Sequence, residues 1–263
     1  MIHIIVCVKV VPKPEEVSVD QETWRLDRSH ARSEINPPDM NAMELALRLK
    51  DRHNGRVSVL SMGPPFFDGV LRVALAMGAD AAYLLSDRAF GGADTLATTY
   101  TLARGIAKLG DVDLVICGEE SSDGATGQVP AGLAEWLDVP QITMVTEAAL
   151  DPERSTIRGR REIQGGHELL EVPLPAVLSV ATACNEPRFM DYRIKSWAFA
   201  PEQLTVWSAD DLDLDEAYIG TDGSPTIVSG LDQAPSRERK RRFIAGPPRE
   251  AAIKLANLIQ ETL

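Results

Sequence analysis

Short apolar runs alternate with longer helix-like segments through about the first 150 residues, and this alternation limits the fold more strongly than any other feature. The run IHIIVCVKV at 2–10 is apolar almost throughout and rich in β-branched residues, which is typical of a strand buried on both faces. Helix-like segments separate it from further runs of this type, namely GRVSVLSM, AAYLLS, VDLVIC and QITMVTEAAL. Strands and helices in this order form right-handed βαβ units. We therefore predict an α/β fold with a doubly wound, mostly parallel sheet that carries helices on both faces.

The pattern changes after about residue 150. Three short segments, TIRGRREIQ, HELLEVPL and AVLSVAT, have strand character, and the glycine pair at 165–166 predicts a hairpin turn between the first two. From about residue 190 the chain loses any long period. We therefore predict an α/β domain with a small β extension of its sheet at 1–189, and a C-terminal arm at 190–263.

The first helix carries a recognisable start signal. Asn41 followed by Glu44 has the spacing of a capping box, and the apolar residues that follow recur at helical spacing. The sequence therefore predicts that this helix begins at Asn41.

Composition and charge exclude several classes of protein. The chain has a formal net charge of −12, which argues against nucleic-acid binding because phosphate attraction requires clustered Lys and Arg. No stretch is long and apolar enough to span a membrane, and the N-terminus lacks the basic region of a signal peptide. The cysteines are far apart and have no disulfide or metal-site spacing. We predict a cytoplasmic protein without membrane insertion or a bound metal.

Polar segments follow the carboxyl ends of the predicted strands, where open parallel sheets bind their ligands. The clearest is CGEESSDGATGQVP at 117–130, in which glycine, hydroxyl and carboxylate residues lie between a strand and a helix. The backbone N–H groups of such a turn often face an anion, although the same residues can simply form a loop. The chain has neither the GxGxxG nor the P-loop fingerprint, and no nucleophile stands beside a histidine. This combination favours a binding or carrier protein over a hydrolase.

A second polar segment, SDRAFGGADTLAT, precedes another predicted helix. Asp94 or Thr95 would cap this helix, and the glycines before them free the backbone. Alternatively, the hydroxyl groups of Thr95 and Thr98 would form the polar wall of a ligand site. The residues alone leave both interpretations open.

Several longer stretches resemble one family. They are VCVKVVP, NPPDMNAMELALRLK, RVALAMGAD, CGEESSDGATGQVPAGLAEWLDVPQITMV and REIQGGHELLEVPLPAVLSVATACNEPR. Together they resemble the beta subunit of electron-transfer flavoprotein along almost the whole chain. A free-standing nucleotide-binding stress or sensor module, or an ATP-pyrophosphatase-like protein, has a similar layout. The arm and the REIQGGHELLEVPLPAVLSVATACNEPR stretch count against both.

The resemblance implies a heterodimer whose alpha subunit carries a redox FAD and whose beta subunit holds an adenine nucleotide. Electrons would pass between a dehydrogenase or NADH and an acceptor through the alpha-bound FAD. In this family Asp39 or Asp123 would accept from ribose or adenine. By motif, the nucleotide site comprises Cys7, Val8, Asn36, Pro37, Pro38, Asp39, Met62, Gly118, Glu119, Ser121, Ser122, Asp123, Gly124, Ala125, Thr126, Gly127 and Gln128.

Two branches of the family differ in the nucleotide they hold. One holds AMP as a structural filler, and the other holds a second FAD that takes electrons from NADH and bifurcates them. The segment containing Gly91, Asp94, Thr95 and Thr98 is similar to the second branch, so FAD is favoured and AMP is the alternative. Gly127 and Pro38 depart from residues common in the family, and the departure at Pro38 removes an expected ring contact to the alpha-bound flavin.

The resemblance also assigns a partner-recognition loop after the NEPR sequence. Phe189, Met190 and Tyr192 would present an apolar anchor to an acyl-CoA dehydrogenase or another flavin dehydrogenase. The arm that follows would contact the alpha subunit.

Overall fold

The computed structural model describes residues 1–13, 18–19, 26–27, 32–227 and 243–260. The chain divides into two compact units, Met1–Ser229 and Gly230–Leu263. The predicted arm at 190–263 therefore includes residues of both units. Its residues 228–242 and 261–263 lie outside the described part of the chain.

A nine-stranded sheet forms the centre of the first unit. The strands are, in chain order, β1 (His3–Cys7), β2 (Val10–Pro12), β3 (Ser18–Val19), β4 (Leu26–Asp27), β5 (Ser33–Ile35), β6 (Arg56–Met62), β7 (Ala81–Leu85), β8 (Leu114–Gly118), β9 (Gln141–Asp151), β10 (Thr156–Ile163), β11 (Gly166–Pro173), β12 (Ala176–Val180) and β13 (Leu204–Trp207). The order across the large sheet is β11-β10-β9-β12-β8-β1-β6-β7-β13, and all neighbours from β9 to β13 pair in parallel. β2 with β5 and β3 with β4 form two small antiparallel pairs.

Helices cover both faces of the parallel strands. They are α1 (Pro37–His53), α2 (Asp68–Met77), α3 (Thr95–Leu109) and α4 (Val129–Leu137). A short α5 (Lys195–Ala198) packs against α2, and α6 (Pro248–Gln260) belongs to the second unit. Successive side chains of β1 point to opposite faces: Ile4 and Val6 pack with residues of α1 and α2, whereas Ile5 and Cys7 pack with residues of α3 and α4. The predicted doubly wound sheet is therefore confirmed.

The predicted β extension is also confirmed. β10 pairs antiparallel with both β9 and β11, and the hairpin turn includes Gly165 at a positive φ of 86°. The chain then returns into the sheet as β12, which is fully buried between β8 and β9.

The predicted start of the first helix at Asn41 is wrong. α1 begins at Pro37, with Asn36 as its N-cap. The N–H groups of a helix's first turn have no partner within the helix, so the missing N–H of a proline costs nothing there. The fixed φ of proline also suits a helix, and Pro37 and Pro38 therefore begin α1. Asn41 lies inside α1, where its side-chain amide donates to the Asn185 carbonyl oxygen at 2.6 Å.

Residues 190–227 belong to the first unit and pack against its sheet and α2. β13 pairs with the outer edge of β7, and the Trp207 ring lies over Tyr83 with centroids 4.8 Å apart. The buried Arg72 of α2 forms an ion pair with Asp68 and donates to the carbonyl oxygens of Ala198, Ala200 and Pro201. One side chain of α2 thus holds the segment that leads into β13.

The second unit is described only over residues 243–260. It contains α6, whose Ile253, Leu255 and Ile259 side chains are at least half exposed. None of the helices in the described part of the chain combines the length and the apolar character that a bilayer span requires.

We predict that Arg72→Met loosens the segment before β13. The substitution leaves the carbonyl oxygens that Arg72 contacts without their donor, which should cost about 1–3 kcal/mol. Limited proteolysis should then cut within 194–207 faster than in the wild type, and Arg72→Lys should show a smaller effect because it keeps the charge but fewer donors. Equal cleavage rates and denaturation midpoints in the wild type and Arg72→Met would contradict this role.

Candidate functional site

The polar segments predicted from the sequence meet at the carboxyl edge of the sheet. β1 pairs in parallel with β6 on one side and with β8 on the other, and the chain changes direction across the sheet at this point. Such a switch point opens a crevice beyond the strand ends. The end of β1 contributes Cys7 and Val8, and the end of β8 contributes Gly118. The crevice between them is the candidate site.

Asn36 connects the elements on both sides of this crevice. It is fully buried, its side-chain Nδ2 donates to the Glu120 carbonyl oxygen at 2.8 Å, and its Oδ1 accepts from the Ser122 N–H at 3.0 Å. Its backbone N–H donates to the Lys9 carbonyl oxygen at 2.9 Å. One amide therefore joins the end of β1, the start of α1 and the loop after β8.

Asp39, in the first turn of α1, makes a second connection. Its Oδ2 accepts from the Lys9 N–H at 2.7 Å and its Oδ1 accepts from the Gly118 N–H at 3.1 Å. Burial raises the pKa of Asp39 to about 7, although hydrogen bonds from Lys9, Asn36 and Gly118 favour the charged form. Gly118 must be glycine here, because an added Cβ would lie 2.3 Å from Asp39 Oδ1 and 2.7 Å from the Pro38 carbonyl carbon.

The loop at 118–128 presents an exposed outer surface over this framework. From Ser122 to Gln128 every residue is exposed, while Ser121 is half-buried and accepts from the Gly124 N–H. Ala125 and Gly127 take positive φ values of 47° and 62°, which turn the backbone away from an extended path. The loop thus offers glycine backbone and hydroxyl groups rather than apolar side chains.

Two of the loop's acidic residues have partners inside the fold. Asp123 Oδ1 lies 2.6 Å from the Lys9 ammonium, which also donates to Ser121 Oγ at 3.3 Å. Glu119 Oε1 accepts from the N–H and the hydroxyl of Thr182, both at 3.4 Å. These contacts tie the loop to the ends of β1 and β12.

The start of α3 lies next to the same loop. Asp94 is the N-cap and accepts from the Leu96 N–H at 2.9 Å, so the capping interpretation is confirmed for Asp94. Its other oxygen accepts from the Thr226 N–H and hydroxyl. Thr95 Oγ1 lies 3.5 Å from Thr126 Oγ1, which brings the second polar segment into contact with the 118–128 loop. Thr98 is half-buried on the same helix.

A cavity of about 590 Å³ lies beside this region without including the loop. It is bounded by Gly91 and by residues between 209 and 222, among them Asp210, Glu216 and Asp222. Arg88 lines it as well, so the cavity carries side chains of both charges. In the described residues, no three His, Cys, Asp or Glu side chains come together as a metal site requires.

Comparison with known proteins identifies the family. Residues 23–211 match the model of the electron transfer flavoprotein domain. The electron transfer flavoprotein subunit beta of Clostridium acetobutylicum is 43% identical over 261 residues, which cover 98% of each chain. The chain belongs to the beta-subunit family of electron transfer flavoproteins. Its function is therefore electron transfer.

Two further members of the family match over most of their length. CarD of the caffeyl-CoA reductase–Etf complex of Acetobacterium woodii is 40% identical over 261 residues, 98% of each chain. Protein FixA of Azorhizobium caulinodans is 38% identical over 248 residues, 92% of this chain and 88% of FixA. The resemblance inferred from the motifs is confirmed, and agreement at this length favours the family over a free-standing sensor or an ATP-pyrophosphatase-like protein.

In this beta-subunit fold, α1 also holds the segment that leads to the predicted recognition loop. Glu44 is buried and its Oε2 accepts from the Arg188 side chain at 2.8 Å and from the Arg188 N–H at 3.1 Å. Beyond this anchor, Phe189 is 96% exposed and Tyr192 is 72% exposed, whereas Met190 packs partly against the core. Of the three predicted anchor residues, Phe189 and Tyr192 are thus exposed, and Met190 faces the core.

The structure brings most of the predicted site residues together and adds one that sequence reasoning overlooked. Met62 lies at the end of β6 and packs on the core beside the crevice, and Pro37 and Pro38 begin α1. Lys9 was not among the predicted site residues, although a lysine two residues after a buried strand is a signal at this edge of the sheet. Contact of any of these residues with a nucleotide stays a prediction.

We predict that Asp39→Asn changes how stability depends on pH. The ordinary pKa of an aspartate is about 4, so between pH ~4 and 7 the folded protein keeps a proton that the unfolded chain has released. The contribution of Asp39 to the free energy of unfolding is therefore full below pH ~4 and is lost as the pH rises through 7. Urea denaturation from pH 4.5 to 8 should show the wild type losing stability relative to Asp39→Asn. If the free energies of unfolding of the wild type and of Asp39→Asn change in parallel with pH, the raised pKa of Asp39 is contradicted.

Proposed function

We propose that this chain is the beta subunit of a heterodimeric electron transfer flavoprotein and that it binds an adenine nucleotide at the carboxyl ends of β1 and β8. The observation that carries the proposal is the buried Asn36, whose side chain forms hydrogen bonds with Glu120 and Ser122 of the 118–128 loop at the switch point. A loop that needed only to connect β8 to α4 would not require a buried amide from another element. In the proposed complex, electrons pass through the FAD of the alpha subunit.

The residues present fit an adenine nucleotide. The exposed part of the loop consists mainly of glycine, alanine and hydroxyl residues, which allow close approach of a phosphate to the backbone. Ser121, Ser122 and Thr126 would bind phosphate oxygens. Val8 and Met62 are apolar residues at neighbouring strand ends and would pack against the adenine ring.

Contact between the loop and α3 supports FAD over AMP at this site. An AMP molecule needs the loop alone, whereas a flavin extending from it needs a second surface with little bulk and several hydrogen-bonding groups. Thr95 borders Thr126, and Gly91 before this helix is exposed. A flavin bound here would supply electron transfer in single or paired steps, with NADH as a candidate donor. Thr95 and Thr98 would orient it by hydrogen bonds.

The exposed rings of Phe189 and Tyr192 support a partner-docking role for the loop after Arg188. Buried aromatic anchors often dominate protein interfaces, and these two are held out from the fold by the Glu44–Arg188 pair. CarD is named as a subunit of a caffeyl-CoA reductase–Etf complex. We infer that the partner here is an acyl-CoA dehydrogenase or another flavin dehydrogenase, and that the arm contacts the alpha subunit.

The nucleotide content of the purified heterodimer tests this function. We predict two FAD per heterodimer, part of their absorbance being bleached by NADH. The double variant Thr95→Val, Thr98→Val should retain the alpha-bound FAD and lose the second one, because its hydroxyl groups are gone.

Thr205→Val is a matched control, since Thr205 is an exposed threonine on β13 away from the crevice. One FAD with one AMP in the wild type would contradict the flavin assignment and leave the adenine site in place. One FAD and no other adenine nucleotide would contradict the site itself.

A further inference from the structure

The candidate site has an electrostatic problem that its backbone groups do not solve. The loop carries Glu119, Glu120 and Asp123 in a chain of net charge −12, so an approaching phosphate meets negative charge. Lys9 reaches this loop from the end of β1, and its ammonium contacts Asp123 Oδ1 at 2.6 Å and Ser121 Oγ at 3.3 Å. The positive charge therefore lies on the loop itself.

Both backbone groups of Lys9 are hydrogen-bonded within the fold, whereas its side chain is partly exposed. Its N–H donates to Asp39 and its carbonyl oxygen accepts from Asn36, so both backbone groups are engaged by α1 and the residue before it. The side chain is 46% exposed and leads from this fixed point onto the loop. A Cβ added at Gly124 would lie 3.8 Å from the ammonium, so the middle of the loop is within its reach.

We propose that Lys9 recognises the phosphate of the bound nucleotide by exchanging its ion pair with Asp123 for a contact with the phosphate. The Lys9 side chain is 46% exposed and the Asp123 side chain 20%, so water partly screens their attraction and breaking the pair has a modest cost. A charge-assisted bond to a phosphate replaces it, and the three donors of an ammonium can keep the Ser121 contact as well. Lys9 thus makes the site selective for phosphorylated adenine ligands over adenosine. This inference rests on the proposed nucleotide site.

Binding of AMP and of adenosine to the heterodimer, measured by calorimetry after its adenine nucleotide has been removed, tests the exchange. Lys9→Met should weaken AMP binding by about ten- to a hundredfold and leave adenosine binding unchanged, because adenosine has no phosphate. Lys9→Arg should recover part of the loss. Lys254→Met, which removes an exposed lysine of α6, is the control for net charge and should bind AMP like the wild type.

A second variant distinguishes this exchange from an ion pair between Lys9 and Asp123 that only stabilises the loop. Asp123→Asn removes the group that competes for Lys9, so the ratio of AMP to adenosine affinity should stay equal or rise, whereas the loss of a contact from Asp123 to ribose or adenine would weaken both ligands alike. A fall in this ratio in Asp123→Asn as large as that in Lys9→Met would overturn the proposal, as would an unchanged ratio in Lys9→Met. A wild type that binds neither AMP nor FAD would instead contradict the proposed function.

Discussion

Two buried side chains at the start of α1 hold the ends of β1 and β8 in place, and the candidate site depends on them. Asp39 accepts backbone N–H groups from both strand ends, and Asn36 pairs with the loop that follows β8. Backbone groups at the ends of buried strands need partners, because leaving one unpaired costs about 1–3 kcal/mol. Here those partners come from one helix start, so the strand ends, the helix and the loop form one rigid framework.

The same helix organises the surface proposed for partner docking. Asn41 and Glu44, farther along α1, hold Asn185 and Arg188, beyond which Phe189 is exposed. Glu119 adds a direct link from the 118–128 loop to Thr182. The proposed nucleotide site and the proposed docking loop are therefore both held by α1. A shared helix keeps the distance between them constant, which suits electron transfer between a cofactor and a partner.

Sequence reasoning succeeded where a residue's role follows from its neighbours along the chain and failed where it depends on distant contacts. The alternation of apolar runs and helices correctly predicted the doubly wound sheet, and the glycine pair at 165–166 correctly marked a hairpin. The start of α1 was misplaced because Asn41 has the local form of a cap, whereas its actual partner, Asn185, is far away in sequence. β13 was missed because a short edge strand has no period of its own and is defined by pairing with β7. Lys9 was overlooked for the same reason, since its importance arises from Asp123.

Amide hydrogen exchange, resolved to single residues in the heterodimer with and without adenine nucleotide, tests the central claim most directly. The claim is that α1 holds the 118–128 loop ready for the nucleotide. The N–H groups of Gly118 and Ser122 should be protected in both states, because Asp39 and Asn36 accept from them. Further amides of the loop should become protected when nucleotide is added. Rapid exchange at Gly118 and Ser122 without nucleotide, or no gain of protection in the loop when nucleotide binds, would contradict the account.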